Sequence, residues 1–359
     1  MNEPILEMKN ISKNFGSVIA LKNVNLEVYP GEIRGLIGEN GSGKSTISSI
    51  AAGMQKASAG EMMFKGKKWE PSSMIDALQN GIGMVVQESG TIAGVTVAEN
   101  MFLAELVQFK NKFGLISKNK MNQKATEAMK AIGVSNVTGD MNMMTLDFQT
   151  RKLVEIAKVI MKNPEILVID ETSTALSQDG REIMYKLIRK FRDNGKAVIF
   201  ISHDLEEIME VCDTLTVLRD GTLIRTFQKE EFDADKIRTS MIGRELQGDY
   251  YRSDFTPSSQ TETALTANNL KYREELKSVD LVLKKGEIVG VGGLSSCGMH
   301  ALGKALFGGL ELEEGEVKTA DGCSITNPHI AVNHKIGYVS KDRDTESLCL
   351  SASIRDNIA

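Results

Sequence analysis

The segment Gly38-Glu39-Asn40-Gly41-Ser42-Gly43-Lys44-Ser45-Thr46 fills every position of the phosphate-loop pattern G-x-x-x-x-G-K-[ST]. A chain that carries it has little freedom in what surrounds it, because the loop works only where a strand stops, the backbone curls and a helix begins. Ile33, Leu36 and Ile37 end an apolar run that predicts the strand, and Ile47 to Ala52 predict the helix. Glycines at 38, 41 and 43 allow successive N–H groups to turn inward, while the helix N-terminus adds a field that favours anions. Glu39, Asn40 and Ser42 fall within the same cradle. In this pattern Lys44 neutralises the β and γ phosphates of a nucleoside triphosphate, Ser45 offers its hydroxyl to Mg2+, and Thr46 hydrogen-bonds near the α phosphate.

An imperfect copy of this neighbourhood returns 255 positions later. Leu26-Glu27-Val28-Tyr29-Pro30-Gly31-Glu32-Ile33 aligns with Leu281-Val282-Leu283-Lys284-Lys285-Gly286-Glu287-Ile288, and Gly38 and Gly43 align with Gly293 and Gly298. Met299 and His300, however, stand where Lys44 and Ser45 would be. A second echo, of Thr96-Val97-Ala98-Glu99-Asn100 in Ser353-Ile354-Arg355-Asp356-Asn357, comes at an offset of 257. Two echoes predict a duplicated domain whose second copy has lost the phosphate-gripping charge. The polar stretch from Gln247 to Thr263, with Pro257 and Ser258-Ser259, reads as a linker. The expected organisation is an intact nucleotide-binding domain over 1–247, a linker over 248–262 and a second, partial domain over 263–359.

Composition agrees with two core-forming units: 359 residues, 41% hydrophobic and 25% charged. A net charge of −5 gives no overall pull toward nucleic acid or an anionic membrane, though a local basic patch is compatible with it. No run of about eighteen apolar residues occurs, and the start Met1-Asn2-Glu3-Pro4 lacks a signal pattern, which predicts a chain that stays in the cytoplasm. Cys212, Cys297, Cys323 and Cys349 show no C-x-x-C pairing and are expected as free thiols. Met141, Met143 and Met144 are expected to pack rather than to bind metal.

Downstream of the intact loop, Ile166-Leu167-Val168-Ile169 is a continuous apolar run of the kind that forms a strand buried on both faces of a parallel sheet. It delivers Asp170 and Glu171 to the strand's carboxyl end, where such sheets place their ligand sites. Asp170 suits Mg2+, and Glu171 suits the orientation and deprotonation of an attacking water. Residues 181–194 place Ile183, Met184, Leu187, Ile188 and Phe191 at helical spacing, with Gly195 as a C-terminal cap. A second apolar run, Ala197 to Ile201, ends in Ser202-His203-Asp204 and brings His203 to the same edge.

A phosphate loop, an Asp-Glu strand end and a Ser-His-Asp strand end, in this order, resemble the nucleotide-binding domain of ABC transporters, and the likeness runs over essentially the whole chain. The resemblance implies an α/β fold, a P-loop NTPase of the ABC type with tandem nucleotide-binding domains, the second truncated. It implies that Phe15 stacks on adenine and that Gln87, in Val85-Val86-Gln87-Glu88, senses the γ phosphate and Mg2+ and contacts a membrane partner. His203 would hydrogen-bond the γ phosphate. The implied catalytic set is Glu171, His203 and Gln87, and the implied metal set is Ser45, Gln87 and Asp170.

More narrowly, Val154-Glu155-Ile156-Ala157-Lys158, Ile201-Ser202-His203, Gly292-Gly293-Leu294 and Ser340-Lys341-Asp342-Arg343 resemble the ATPase subunit of bacterial ribose, galactose and xylose-type importers. That implies ATP and Mg2+ as cofactors and polytopic membrane permease subunits as partners. An extracytoplasmic solute-binding protein would be an indirect partner, nucleic acid none, with scope for homo-association. The implied location is peripheral, on the cytoplasmic face of the membrane.

The family pattern is broken at several positions. Lys341 and Met299 stand where the family has Glu and Arg, and Thr172 replaces a proline. Leu146-Asp147-Phe148-Gln149-Thr150-Arg151 stands where the family signature reads Leu-Ser-x-Gly-x-Gln. Asp147 is expected to repel a γ phosphate, and Gln149 removes a glycine that permits close approach. If ABC sites are composite, the Met299 loop faces the Asp147 segment, and both halves of one site are degenerate together. One working site then remains, built on Lys44, Asp170, Glu171 and His203.

The second domain reaches only about 97 residues by Ala359 and carries no second signature or switch histidine. A 359-residue chain on its own is therefore expected to bind Mg-ATP and hydrolyse it slowly. A GTPase is disfavoured, because Asn119-Lys120-Met121-Asn122 fails the last position of Asn-Lys-x-Asp and Asp170-Glu171-Thr172-Ser173 lacks the glycine of Asp-x-x-Gly. The alternatives are a soluble tandem ABC ATPase acting on ribosomes or nucleic acid, and a non-hydrolysing regulatory ATP-binding module. The asymmetry between the loops is testable in steady-state phosphate release. Lys44→Ala should lower turnover by on the order of 100-fold, whereas Met299→Ala should leave it close to wild type; equal effects would remove the asymmetry.

Overall fold

The computed structural model describes residues 3–87, 90–92, 94–243, 261–293, 297–340 and 346–358, in two compact units that divide between Gly248 and Asp249. Most of the expected linker, with Glu88, Leu294 and Lys341-Asp342-Arg343, lies outside the described residues.

The first unit opens with β1 (Leu6–Phe15) and β2 (Val18–Val28), followed by β3 (Ile33–Ile37) and α1 (Lys44–Ala51). Next come β4 (Ala59–Phe64), β5 (Lys67–Lys68), α2 (Met74–Asn80) and β6 (Ile82–Val85). A helical block contains α3 (Val97–Phe102), α4 (Lys118–Ala131) and α5 (Phe148–Ile160). The chain then runs through β7 (Ile166–Asp170), α6 (Gln178–Asp193), β8 (Ala197–Ile201), α7 (Leu205–Val211) and β9 (Thr214–Arg219). It closes with β10 (Thr222–Gln228) and α8 (Ala234–Ile242).

Six strands form one sheet in the order β10-β9-β3-β8-β7-β6, parallel except for the β9–β10 hairpin. A separate antiparallel sheet has the order β2-β1-β4-β5. Every residue of β3, β7 and β8 is buried, as continuous apolar runs require in a sheet covered on both faces. Their side chains alternate between two cores. Ile33, Ile37, Leu167, Ile169 and Phe200 pack with Ile156 and Ile188 from the helical side. Leu36, Val168, Ile199 and Ile201 pack with Leu6, Met8 and Ile47 from the antiparallel sheet and α1.

The register fixes the site. Leu36 and Asp170 both lie opposite Ile201, one on each side of β8, so the carboxyl ends of β3, β8 and β7 are level. The phosphate loop, His203 and Glu171 therefore leave the sheet along a single edge.

Two helix boundaries differ from the periodic pattern, and in both the cap is the reason. α1 begins at Lys44 rather than Ile47, because Gly43 at φ 103 turns the chain straight into the helix. α6 begins at Gln178, where the Ser177 hydroxyl accepts the Gly180 N–H. Gly195, at φ 75, takes the left-handed turn that ends it. All four cysteines are free, with Cys212 buried, and Met143 lies in the core while Met144 is exposed.

The second unit contains β11 (Thr263–Tyr272), β12 (Leu276–Lys284), α9 (Met299–Leu306), β13 (Glu314–Thr319) and α10 (Pro328–Asn333). Its sheet order, β12-β11-β13, matches β2-β1-β4. The match extends to single hydrogen bonds. The Asn10 N–H donates to Asn25 Oδ1 at 2.8 Å, and the Asn269 N–H donates to Asp280 Oδ1 at 2.6 Å. Thr96 caps the Glu99 N–H as Ser353 caps that of Asp356. The amide of Asn100 clasps the backbone of Ile92, and that of Asn357 clasps Cys349 in the same way.

One element is not repeated. The segment from Ile288 to Gly293, aligned with β3, forms no strand, and Ile288 is 94% exposed. β3 is held on both sides, by β8 and by β9, and among the described residues of the second unit nothing supplies such neighbours.

Candidate nucleotide-binding site

The phosphate loop is shaped by contacts that exclude side chains. A Cβ on Gly38 would lie 2.1 Å from the Leu218 carbonyl oxygen, and one on Gly43 would lie 2.6 Å from Leu21 Cδ2. Lys44 is buried, and its Nζ donates to the carbonyls of Gly38 and Glu39 at 2.9 and 3.1 Å. Burial lowers its pKa against the pull of Glu171 and Asp170. The Ser42 hydroxyl is buried without a partner, an orphaned donor inside the loop that a phosphate oxygen would satisfy. Glu39, Asn40 and Gly41 are exposed, and Thr46 sits half-buried in the first turn of α1.

Ser45 Oγ donates to Asp170 Oδ1 at 3.2 Å, joining α1 to the end of β7. Asp170 is only 3% exposed. Burial raises its pKa, the Ser45 hydrogen bond opposes this, and the Glu171 carboxylate adds to it. A buried carboxylate beside a hydroxyl is a hard oxygen donor pair that fits Mg2+.

Glu171 follows at φ 40, a left-handed conformation that costs a non-glycine residue about 1–3 kcal/mol. It is over-determined by its surroundings. Its N–H donates to the Ile201 carbonyl at 3.0 Å, and the Thr174 hydroxyl donates to its carbonyl at 3.0 Å. Thr172, fully buried, donates its hydroxyl to the Asp170 carbonyl at 3.1 Å, which gives the residue standing in place of the family's proline a physical role. Gln87 Nε2 donates to Glu171 Oε2 at 2.9 Å, and His203 Nδ1 lies 3.7 Å from the same oxygen. Gln87, Glu171 and His203 thus converge, while Lys44, Ser45 and Asp170 form the adjoining group. Phe15 ends β1 outside these hydrogen bonds, a residue 45% exposed with the Lys13 ammonium 4.9 Å from its ring centre.

Two polar residues that sequence reasoning missed brace this arrangement. Glu207 is 5% exposed and accepts hydroxyls from Ser173 at 2.8 Å and from Ser202 and Tyr185 at 2.5 Å. It thereby ties the turn after Glu171 to the turn before His203, and burial with this carboxylate pushes the Tyr185 pKa far up. Lys152, 1% exposed, donates to the Val86 and Gln87 carbonyls at 3.0 and 3.3 Å and pairs with Glu155 at 2.8 Å. Neither had a sequence signal: Glu207 sits among Glu206 and Glu210, and Lys152 looks like any helix surface cation.

The signature segment differs from its expectation. The Asp147 carboxylate accepts the Thr150 N–H at 2.7 Å and caps α5, so it is engaged with the helix amides that would otherwise face an anion. Gln149 Oε1 accepts the Ser177 N–H at 2.5 Å, stapling this segment to the start of α6. In the second unit α9 begins after Gly298 with a half-buried Met299 and an exposed His300 in place of the lysine and serine.

The raised pKa of Asp170 generates a stability test. A carboxyl whose folded pKa lies above its unfolded value destabilises the fold at higher pH, and that penalty fades as pH falls through the folded pKa. Asp170→Asn should therefore raise the melting temperature of the nucleotide-free protein at neutral pH, by an amount that shrinks on acidification, while weakening Mg-dependent ATP binding. A lowered melting temperature at neutral pH would contradict it.

Comparison with known proteins identifies the family and the fold. Residues 21–174 match the family model for ABC transporters. The chain is 35% identical over 357 residues to the ribose import ATP-binding protein RbsA of Caldanaerobacter subterraneus, covering 99% of this chain and 71% of the relative. It is 34% identical to the Bacillus subtilis protein of that name, covering 99% and 71%. Among solved structures, an ABC transporter ATP-binding cassette in its ADP conformation aligns with a TM-score of 0.57 at 26% identity, over 67% of this chain and 99% of that one. A dimeric cassette bound to ADP and phosphate aligns with a TM-score of 0.55 at 27% identity, over 63% and 100%. Relatives of this identity and coverage place the chain in one family: it belongs to the ATP-binding subunits of ABC-type sugar importers.

Proposed function

We propose that ATP is bound and cleaved at the loop of the first unit, and that the cycle drives polytopic permease subunits moving a sugar or related small polar solute. Phe15 would carry the adenine on its open face. Lys44 would exchange the Gly38 and Glu39 carbonyls for the β and γ phosphates, and the Ser42 hydroxyl would gain the partner it lacks. Ser45 and Asp170, with Gln87, would hold Mg2+, which neutralises developing charge on the phosphates. Among the described residues no cluster of three or more His, Cys, Asp or Glu stands ready for a metal, so the ion would be shared with phosphate oxygens.

Glu171 would take the proton of the attacking water as its oxygen bonds to the γ phosphorus and ADP leaves. Gln87 donates to that carboxylate and His203 lies 3.7 Å from the same oxygen, from where it would reach the γ phosphate. The convergence of Gln87 and His203 on one oxygen of a strained Glu171 is the observation that carries this reading.

Bound ATP would hold the two nucleotide-binding halves together, and hydrolysis would release them. The segment from Gln87 to Asn100 would pass the movement to the permease. Among the described residues no helix is long and apolar enough to cross a membrane. We place the chain peripherally on the cytoplasmic face, with cargo chosen by the permease and an extracytoplasmic solute-binding protein. Glu171→Gln tests the assignment: ATP affinity should hold while single-turnover cleavage falls by roughly 10²- to 10⁴-fold. A variant that cleaves ATP at the normal rate removes Glu171 from the role of base.

A further inference from the structure

Between α3 and α4 the chain makes a small hairpin that the nucleotide site does not use. Lys110 and Ile116 pair across it, the Ser117 N–H donates to the Phe109 carbonyl at 2.9 Å, and the Asn111 N–H donates to the Leu115 carbonyl at 2.8 Å. The Asn111 side chain closes the tip, its Oδ1 accepting the N–H groups of Phe113 and Leu115 at 2.9 and 3.0 Å. Phe109 anchors the base, buried with its ring centre 4.8 Å from that of Phe102. The turn is thus fixed by its own hydrogen bonds and by the core beneath it.

What it displays is apolar. Phe113 is 88% and Leu115 67% exposed at the tip, with Val107 73% exposed on the flank. Holding large apolar side chains rigidly in water is unfavourable unless something covers them. The neighbouring sequence is basic: Lys110 and Lys112 in the hairpin and Lys118 and Lys120 in the first turn of α4 are all exposed, in a protein whose net charge is −5. Glu99, 3.5 Å from Lys118, is the acidic partner that one of them has.

We propose that this hairpin docks on an anionic lipid surface, with Phe113 and Leu115 entering the headgroup boundary and the lysines meeting lipid phosphates. Apolar residues beside a lysine cluster are the composition that such surfaces select. Charge decides against a permease loop as the occupant. Cytoplasmic loops of membrane proteins carry an excess of Lys and Arg, so four more lysines would meet like charge there and complementary charge on anionic headgroups. The inference rests on the peripheral membrane placement proposed above. Each lysine near an anionic leaflet contributes about a fivefold gain in affinity, so the hairpin is a reversible contact that adds to the permease interface.

The test is flotation of the full chain with vesicles of phosphatidylcholine alone and of phosphatidylcholine mixed with phosphatidylglycerol. Binding is expected to the mixed vesicles only, and to weaken as salt rises from about 0.1 M to about 1 M, which shortens the screening length from about 10 to about 3 Å. The triple variant Lys110→Glu, Lys112→Glu, Lys120→Glu should lose binding by at least about 100-fold, and Phe113→Ser with Leu115→Ser should also weaken it. Both sets lie on exposed positions and should leave ATP affinity and melting temperature unchanged. Absence of binding to mixed vesicles, equal binding to neutral ones, or variants that bind like wild type would overturn the proposal. So would variants that float normally but fail to co-purify with permease subunits, which would make the hairpin a protein contact. Loss of co-purification by the wild-type chain itself would instead count against the transporter reading.

Discussion

The hydrogen bonding of β3 on both its edges is the constraint from which the site follows. Residues Ile33 to Leu36 pair with β8 on one side, and Arg34 to Ile37 pair with β9 on the other. That double ladder stops the strand at a fixed height, so the loop beginning at Gly38 opens level with the ends of β7 and β8. Three segments far apart in sequence then bring a lysine, two carboxylates and a histidine to one edge. Among the described residues of the second unit the same local sequence has no such ladder: the segment at Ile288 forms no strand although β11, β12 and α9 repeat their counterparts closely. Local pattern makes the hairpin and the helix, and only long-range pairing makes the strand that aims the loop.

The site itself is held by buried polar ties rather than by packing alone. Glu207 binds the turns beside Glu171 and His203 through serine hydroxyls, the Thr172 hydroxyl donates to the Asp170 carbonyl, and Lys152 fixes the backbone beside Gln87 from the helix that Asp147 caps. Each tie satisfies groups that would be costly if left unpaired. Together they hold Glu171 in its strained backbone and keep Asp170 buried, which are both unfavourable in isolation. On the proposed function, bound Mg2+ would balance the buried Asp170 carboxylate and a phosphate oxygen would satisfy the Ser42 hydroxyl.

Much of this was legible in the sequence, for identifiable reasons. The phosphate loop, the apolar strands at Ile166 and Ala197 and the polar residues ending them are short-range patterns, and the internal echoes proved to be repeated hydrogen-bonding devices such as Asn100 with Ile92 and Asn357 with Cys349. Helix starts differ from the apolar periodicity because they are set by cap residues such as Gly43 and Ser177, which that periodicity ignores. The ties of Glu207 to Ser173 and of Lys152 to the Val86 and Gln87 carbonyls join residues through the fold and leave no mark on local composition, whereas the cap of Asp147 on the Thr150 N–H is a short-range pattern that the comparison with the family signature obscures. Thr172 could be seen as a departure, yet its hydrogen bond to Asp170 depends on a turn whose shape only the structure reveals.

Which loop holds the nucleotide is the point on which the unequal halves turn. Photo-crosslinking the full chain with an azido-adenine ATP analogue in the presence of Mg2+, followed by peptide mapping, reads this out directly. Label is expected on the peptide containing Phe15, with competition by ATP. Label concentrated on the peptide containing His300, with none near Phe15, would contradict the assignment of the working site to the first unit.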